Sequence, residues 1–366
     1  MKIKSTLNSL LKRLDVDELE TLLESVKSKG RAHTPCVHLP PFFHLDSHSS
    51  RCSDTGICTE YTSDINLQAP ACTPCLGNRE DVSWVVCRAL RWPNLLHVDP
   101  LKQMPNCQIP AVVDGTPSGG GTEYDRKSHL LCVNPYHWCR VSDISTDLKP
   151  WPEDVIQSKD IQIDKKNSGF LTQSSTDTEL CGSRPLSRQD YWCQVAYWEL
   201  SIRIGKLLPI TPTSIDIFQD LAQGGGVSLD ALHRTHPPVS SSVGSVRSKI
   251  GAGVVLSKEG EKVWLFNRSE RDVFVSSYFL NSHRTDTHTW RVCKVTPGYA
   301  VLVYDYSSIS DQPCKQSSAV WEGPTDLHSV HISFIKGWGG AYSRQNILNC
   351  ECWLEILMNK AVFAYR

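Results

Sequence analysis

The sequence predicts two domains in series, a helix-led N-terminal domain and a mainly β C-terminal sandwich. Three observations carry this reading. Leucines recur at helical spacing between Leu7 and Ser28. From Asp147 to Arg188 the composition turns to Ser, Thr, Asp, Lys and Pro, with too few apolar residues to bury enough surface for order. From Tyr191 onward, short alternating apolar runs are separated by turn signals, the grammar of a β-sandwich. A chain of 366 residues is long enough for each domain to bury its own core.

In the first domain, Leu7, Leu10, Leu11, Leu14 and then Leu19, Leu22, Leu23 and Val26 mark the core side of helix. Asp15 with Glu18 has the spacing of a capping box that restarts the helix, and Gly30 is placed to stop it. Residues 41–81 are rich in Ser, Asp, His and Cys with little apolar periodicity, which predicts an inserted loop. Structure resumes at Val82-Ser83-Trp84-Val85-Val86-Cys87, and Val113 to His129, with Gly119-Gly120-Gly121, reads as a second loop.

The second domain carries Val254-Val255-Leu256, a hairpin signal at Glu259-Gly260, Val263-Trp264-Leu265-Phe266, and Tyr299 to Tyr306 as strands. Val330, Ile332 and Phe334 alternate like a half-buried strand that breaks into Lys336-Gly337-Trp338-Gly339-Gly340. The three glycines predict backbone angles closed to other residues. Lys336 and Arg344 flank the loop, with Trp338 and Tyr342 between them. Two cations on an aromatic-anchored loop suit a phosphate or carboxylate ligand, because charged donors bond charged oxygens most strongly. A solvated loop with two ordinary surface cations is the plainer alternative.

Composition excludes several classes. Positive and negative residues nearly cancel, at a net −1, so no global field drives the chain onto nucleic acid or an acidic membrane. No apolar run reaches the length of a membrane span, and the amino terminus lacks a signal-peptide apolar core. The 15 cysteines are therefore expected to be reduced, buried or metal-bound in an intracellular setting. No nucleophile elbow, metalloprotease helix, Walker loop or paired-carboxylate motif appears, so no enzyme is expected.

Several ordered motifs point to one family. KGWG, then Tyr342-x-Arg344-Gln345 and Cys350-x-Cys352-Trp353-Leu354-Glu355, resembles the receptor-contacting loop and last strand of the C-terminal Mad-homology domain of Smad proteins. The resemblance extends through Tyr191-Trp192-Cys193-x-Val195-Ala196-Tyr197-Trp198-Glu199, Val246 to Gly251, Val263 to Ser269 and Val292 to Tyr299. The opening helices, Arg91-Trp92-Pro93-Asn94-Leu95 and Leu131-Cys132-Val133-Asn134-Pro135-Tyr136-His137 are similar to the family's N-terminal domain. The resemblance implies an α+β, zinc-containing Mad homology 1 domain over residues 1–148, a linker over 149–189, and a Mad homology 2 domain over 190–366. The latter is expected to be a forkhead-associated-like sandwich with helices and long loops.

It also implies a structural zinc on Cys36, Cys107, Cys132 and His137, a closed shell that leaves no position for water. Cys72-Thr73-Pro74-Cys75, with Cys52, Cys58, His44 and His48 nearby, offers competing ligands without a second Cys-x2-Cys pair to complete a site. The implied partners are phosphorylated type I receptor kinases and other Smads, met through Lys336, Arg344, Tyr342 and Trp338, with Lys249 and Arg247 as a second basic cluster. There Ser245 stands where a lysine is expected.

The subclass follows from departures. The stretch where DNA-binding members carry their base-reading hairpin is here the insertion, with Arg51 and Arg79 its only strong cations, so sequence-specific DNA binding is not expected. The carboxyl terminus, Ala361-Val362-Phe363-Ala364-Tyr365-Arg366, has no acceptor serine for receptor phosphorylation. Together these identify an inhibitory Smad, acting in cytoplasm and nucleus, that binds activated type I receptors of the TGF-β and BMP class and blocks substrate Smads. Its relatives recruit ubiquitin ligases by a Pro-Pro-x-Tyr linker motif, but here Lys149-Pro150-Trp151-Pro152 stands in its place. The alternatives are a DNA-binding transcription factor of the common-partner type and a sandwich scaffold whose binding ignores phosphorylation.

Overall fold

The computed structural model describes residues 2–39, 79–96, 100–108, 131–142, 191–221, 225–282, 292–310 and 326–359. The Cys/His-rich stretch 41–78, the glycine run at 119–121, the linker and the residues after 359 lie outside them.

The N-terminal domain opens with α1 (Lys2–Leu11) and α2 (Val16–Ser28). Between them the capping box forms as read: Asp15 accepts from the Glu18 N–H at 2.7 Å, and Glu18 accepts from the Asp15 N–H at 3.2 Å. The helix ends where Lys29 turns left-handed and the Gly30 N–H returns to the Ser25 carbonyl at 3.0 Å. Gly30 is needed twice over, since its φ is +73° and a Cβ there would lie 2.6 Å from the Tyr136 ring. Leu10, Leu14 and Leu22 pack with Val37, Leu39, Val82, Val86 and Val133 in a small core. Leu19 and Leu23 differ from expectation. They remain exposed, because only one stripe of α2 meets that core. The segment after the insertion is a helix, α3 (Arg79–Leu90). Short strands complete the domain: β1 (His38–Leu39), β2 (Leu101–Gln103), β3 (Leu131–Cys132) and β4 (Trp138–Val141).

The C-terminal domain is the expected sandwich. One sheet joins β5 (Cys193–Glu199), β6 (Ile202–Ile210), β11 (Val273–Ser277), β12 (Cys293–Val295), β14 (Ser329–Phe334) and β15 (Trp353–Met358). Its order is β12-β11-β14-β15-β5-β6. The other contains β7 (Ser214–Phe218), β8 (Gly226–Ser228), β9 (Val254–Glu259), β10 (Lys262–Asn267) and β13 (Tyr299–Asp305). Gly260, at φ +59°, turns the β9–β10 hairpin where the sequence signals it. Alternate residues point between the sheets: Val254, Leu256, Leu265 and Val301 from one face Val195, Val275, Ile332 and Leu354 from the other. Short helices α4 (Leu229–Thr235), α5 (Ser241–Arg247), α6 (Tyr278–Ser282) and α7 (Tyr306–Ser310) close the ends.

The two domains share a sheet, which periodicity could not reveal. β4 pairs in parallel with β13, extending the second sheet to seven strands in the order β2-β4-β13-β10-β9-β7-β8. The Arg140 N–H donates to the Gly298 carbonyl at 3.0 Å and the Ser142 N–H to Ala300 at 2.8 Å. The outward-facing alternates Val255, Phe266 and Ala300 are thereby buried against Met104 and Cys139. Polar contacts surround this patch. Lys102 reaches Glu259 at 2.7 Å and lies over the Trp264 ring, Arg31 meets Glu270 at 2.6 Å, and Arg140 lies over Tyr299. Gly298 permits the approach, since a Cβ there would come 2.7 Å from the Arg91 guanidinium. A β-strand edge that would otherwise invite a partner strand is covered from within the chain.

Candidate functional site

Four chain segments meet in one cluster. Cys36 follows α2, Cys107 follows β2, Cys132 ends β3, and His137 ends the 3-10 turn Pro135–His137. Pairing of β1 with β3 sets His38 opposite Cys132 and so draws Cys36 toward it. Asn134 caps the turn, accepting from the Tyr136 N–H at 3.1 Å, while its buried amide joins Ser25 and Thr34. The Cys36 Sγ lies 3.4 Å from the Cys107 Sγ and 3.5 Å from His137 Nδ1, and the Cys132 Sγ lies 3.4 Å from His137 Nδ1.

A tetrahedral zinc with Zn–S of about 2.3 Å and Zn–N of about 2.0 Å sets its ligands about 3.5 to 3.8 Å apart, close to these separations. His137 Nε2 lies 3.1 Å from the Thr34 carbonyl, which can only accept, so Nε2 carries a proton and Nδ1 is the nitrogen turned toward the sulfurs and would be the one to hold a metal. Gln103 donates to the Cys107 sulfur at 2.7 Å, and the Gln108 N–H to Cys36 at 3.3 Å. Contacts with Cys107 and Cys132 drive the Cys36 thiol far below its ordinary range, while Cys107 and Cys36 push Cys132 far above it. Opposite shifts on neighbouring thiols show that the cluster resists holding several thiolates by itself, and a divalent cation would relieve that repulsion. Three sulfurs and one imidazole suit zinc and close its shell, a structural arrangement.

The loop after β14 is the second site. Its special backbone differs from expectation. The left-handed turn out of the strand falls on Ile335, at φ +69°, with the Lys336 N–H returning to the Phe334 carbonyl at 2.7 Å. Gly339 alone of the three glycines has positive φ, at +93°. Gly337 serves by lacking a Cβ, which would lie 2.6 Å from the Tyr342 ring. Tyr342 meets Phe274 edge to face at 5.4 Å. Trp338 is buried with Phe274, Cys350 and Trp353, so it supports the loop from beneath. Lys336 is half-buried, and Arg344, 24% exposed, donates to Glu351 at 2.8 Å. Lys249 is exposed and reaches Ser245 at 3.1 Å.

Arg247 requires a correction: it is not free to hold a partner's phosphate. Its Nε and Nη2 donate to the two Glu199 oxygens at 2.6 and 2.8 Å, its Nη1 donates to the His236 carbonyl, and the pair is buried. The carboxylate also accepts from the Tyr197 hydroxyl at 2.9 Å. A buried carboxylate is tolerated only with such full pairing, and sequence spacing could not show that Glu199 faces Arg247.

His233 adjoins this cluster and gives it a pH dependence. Its Nε2 contacts the Tyr197 oxygen at 3.0 Å, whereas its Nδ1 is buried without a partner among the described residues. Burial, reinforced by the Arg247 charge, lowers His233 to about 4. The unfolded chain, with an ordinary histidine near 6.5, takes up this proton first, so stability is lost as pH falls from that value toward the folded one. Between about pH 7 and about pH 5.5 the unfolding free energy should drop by about 1 kcal/mol through this group. Denaturant titrations at both pH values should show that increment shrinking in His233→Gln; an unchanged slope would refute it.

Comparison with known proteins identifies the class. The MH1 domain family matches residues 3–142 and the MH2 domain family residues 190–359. Mothers against decapentaplegic homolog 6 of Gallus gallus is 32% identical over 98% of this chain and 75% of its own length. Homolog 7 of Homo sapiens is 30% identical over 98% of this chain and 78% of its own length. Among solved structures, the interferon regulatory factor 9 IAD domain overlaps 50% of this chain and 89% of its own, with a TM-score of 0.32 and 10% identity. A helix-led domain with a Cys3His cluster followed by a sandwich is thus a pair of MH1 and MH2 domains. The chain belongs to the inhibitory Smads, regulators of TGF-β and BMP signalling. None of its described helices is long and apolar enough to cross a membrane.

Proposed function

We propose that this inhibitory Smad acts by binding phosphorylated type I receptors of the TGF-β and BMP class through the loop from Lys336 to Cys352, keeping substrate Smads from phosphorylation and assembly. One observation carries the reading: a loop held from beneath by Trp338 and Tyr342 displays Lys336 and Arg344 on a fixed base. Phosphoserine brings about −1.5 to −2 charge and three acceptor oxygens, which such donors favour over a neutral hydroxyl. Lys249, on the C-terminal side of α5, adds charge nearby in the fold, since the Val243 carbonyl of α5 contacts the Cys352 sulfur that ends the loop.

Zinc on Cys36, Cys107, Cys132 and His137 belongs to the same reading, as do domain limits of 1–148, 149–189 and 190–366 and a place in cytoplasm and nucleus. The common-partner, DNA-binding alternative is opposed by charge placement. Arg31, Lys102, Arg91 and Arg140 of the N-terminal domain are engaged on the sandwich or buried, leaving fewer cations for phosphates. Pull-down with phosphorylated and unphosphorylated receptor cytoplasmic domains tests the proposal. Capture should favour the phosphorylated form severalfold, and equal capture would support the scaffold alternative.

A further inference from the structure

Arg344 is the loop's strongest candidate for a bidentate phosphate contact, yet its guanidinium is already engaged by a carboxylate of the same loop. Glu351 accepts from Arg344 Nη2 at 2.8 Å, and its side chain is only 9% exposed. The other Glu351 oxygen, Oε2, is buried with no hydrogen-bond partner among the described residues. A carboxylate with one oxygen unpartnered gains unusually much from its single cation, and losing that cation would leave a buried charge alone.

The backbone keeps the two side chains together. The Arg344 carbonyl accepts from the Gly339 N–H at 2.7 Å, and Cys350, beside Glu351, is buried against the Lys336 carbonyl. Lys336, by contrast, has no ion-pair partner among the described residues. The cations of the loop are therefore unequal before any partner arrives.

Resting on the reading of this loop as the phosphate-receiving surface, we infer that Glu351 is an internal competitor for Arg344 that sets the loop's affinity and selects for a strongly charged partner. A dianionic phosphoserine can outbid one carboxylate for the guanidinium, since it brings more charge and a bidentate geometry. A singly charged acidic residue offers the same chemistry as Glu351 and has no such advantage. The competitor thus lowers absolute affinity while raising discrimination between phosphorylated and merely acidic segments.

The test uses the full chain and three probes: a serine peptide with two phosphoserines, its unphosphorylated twin, and a version with aspartates at the same positions. Glu351→Gln keeps an amide oxygen for Arg344 while removing the charge. It should bind the phosphopeptide about three- to tenfold more tightly. It should gain at least as much on the aspartate peptide and nothing on the unphosphorylated one. In an Arg344→Gln background the gain should largely disappear, since nothing remains to compete for. A gain that persists undiminished there would make Glu351 an ordinary repelling charge and overturn the inference. So would wild type preferring the phosphopeptide while Glu351→Gln binds it no better. Absence of any phosphopeptide preference in both proteins overturns the receptor-loop reading itself, and the role of Glu351 with it.

Discussion

Replacing Cys132 with serine and His137 with alanine should abolish zinc retention and release the N-terminal domain from the sandwich. The apolar cluster beside the four ligands is small, with Leu10, Leu14, Leu22, Val37, Leu39, Val82, Val86 and Val133 at its centre, so the metal would be a large share of what holds these segments together. Structural zinc contributes an apparent ~10 to 16 kcal/mol in finger peptides, more than the whole stability of many domains. The docking strand depends on it directly. β4 begins at Trp138, immediately after the ligand His137, and the Met104 N–H holds the His137 carbonyl at 2.8 Å, joining β2 to the same point.

Loss of the metal should therefore free β4 and β2 from their places beside β13 while the sandwich core persists. Elemental analysis of the full chain should fall from about one zinc per chain to none. Hydrogen exchange should accelerate at Arg140 and Ser142, whose amides donate to Gly298 and Ala300, with β14 and β15 still protected. Unchanged zinc content, or full protection at Arg140 and Ser142 in the variant, would sink the assignment.

What could be read from the chain and what could not divide along physical lines. The capping box at Asp15 and Glu18, the hairpin at Gly260 and the alternating strand through Val330, Ile332 and Phe334 are local, because spacing of a few residues decides them. Long-range partners leave no such trace. Cys36 and Cys107 lie far in sequence from each other and from the local pair Cys132 and His137, and only family likeness grouped the four before the fold did. Nothing in the spacing of Trp138 to Val141 says that this strand joins β13, because a short apolar strand fits many edges. Arg247 departs from expectation for the same reason. No acidic residue adjoins it in sequence, and the carboxylate that claims it lies 48 residues away. Glu351 has no legible role in the sequence, since a charge beside a basic loop acquires its meaning only from burial and from the direction of Arg344.

Substituting Lys336→Glu together with Arg344→Gln should weaken binding to a phosphorylated receptor domain by about tenfold or more while leaving the sandwich folded. Charge-assisted hydrogen bonds contribute roughly 1.5 to 3 kcal/mol each, so losing one cation and reversing another crosses the 1.4 kcal/mol that separates decades of affinity. Glutamine is chosen at 344 because a carboxylate there would face the buried carboxylate of Glu351 and loosen the loop by repulsion alone. The sandwich should stay folded, since Trp338, Cys350 and Trp353 pack beneath the loop without either head group, but it should melt at a lower temperature, because Arg344→Gln leaves the buried Glu351 carboxylate without its cation. Raising salt should weaken wild type more than the variant, because the solvent-exposed part of the attraction is screened over about 8 to 10 Å. Titration of phosphorylated receptor domain by calorimetry, with a melting curve for each protein, separates the outcomes. A variant that stays folded at the assay temperature, binds as tightly and still blocks phosphorylation of substrate Smads would mean that this loop is not the inhibitory surface. Lys249, exposed just beyond α5, would then be the remaining cation of this face to receive the phosphate.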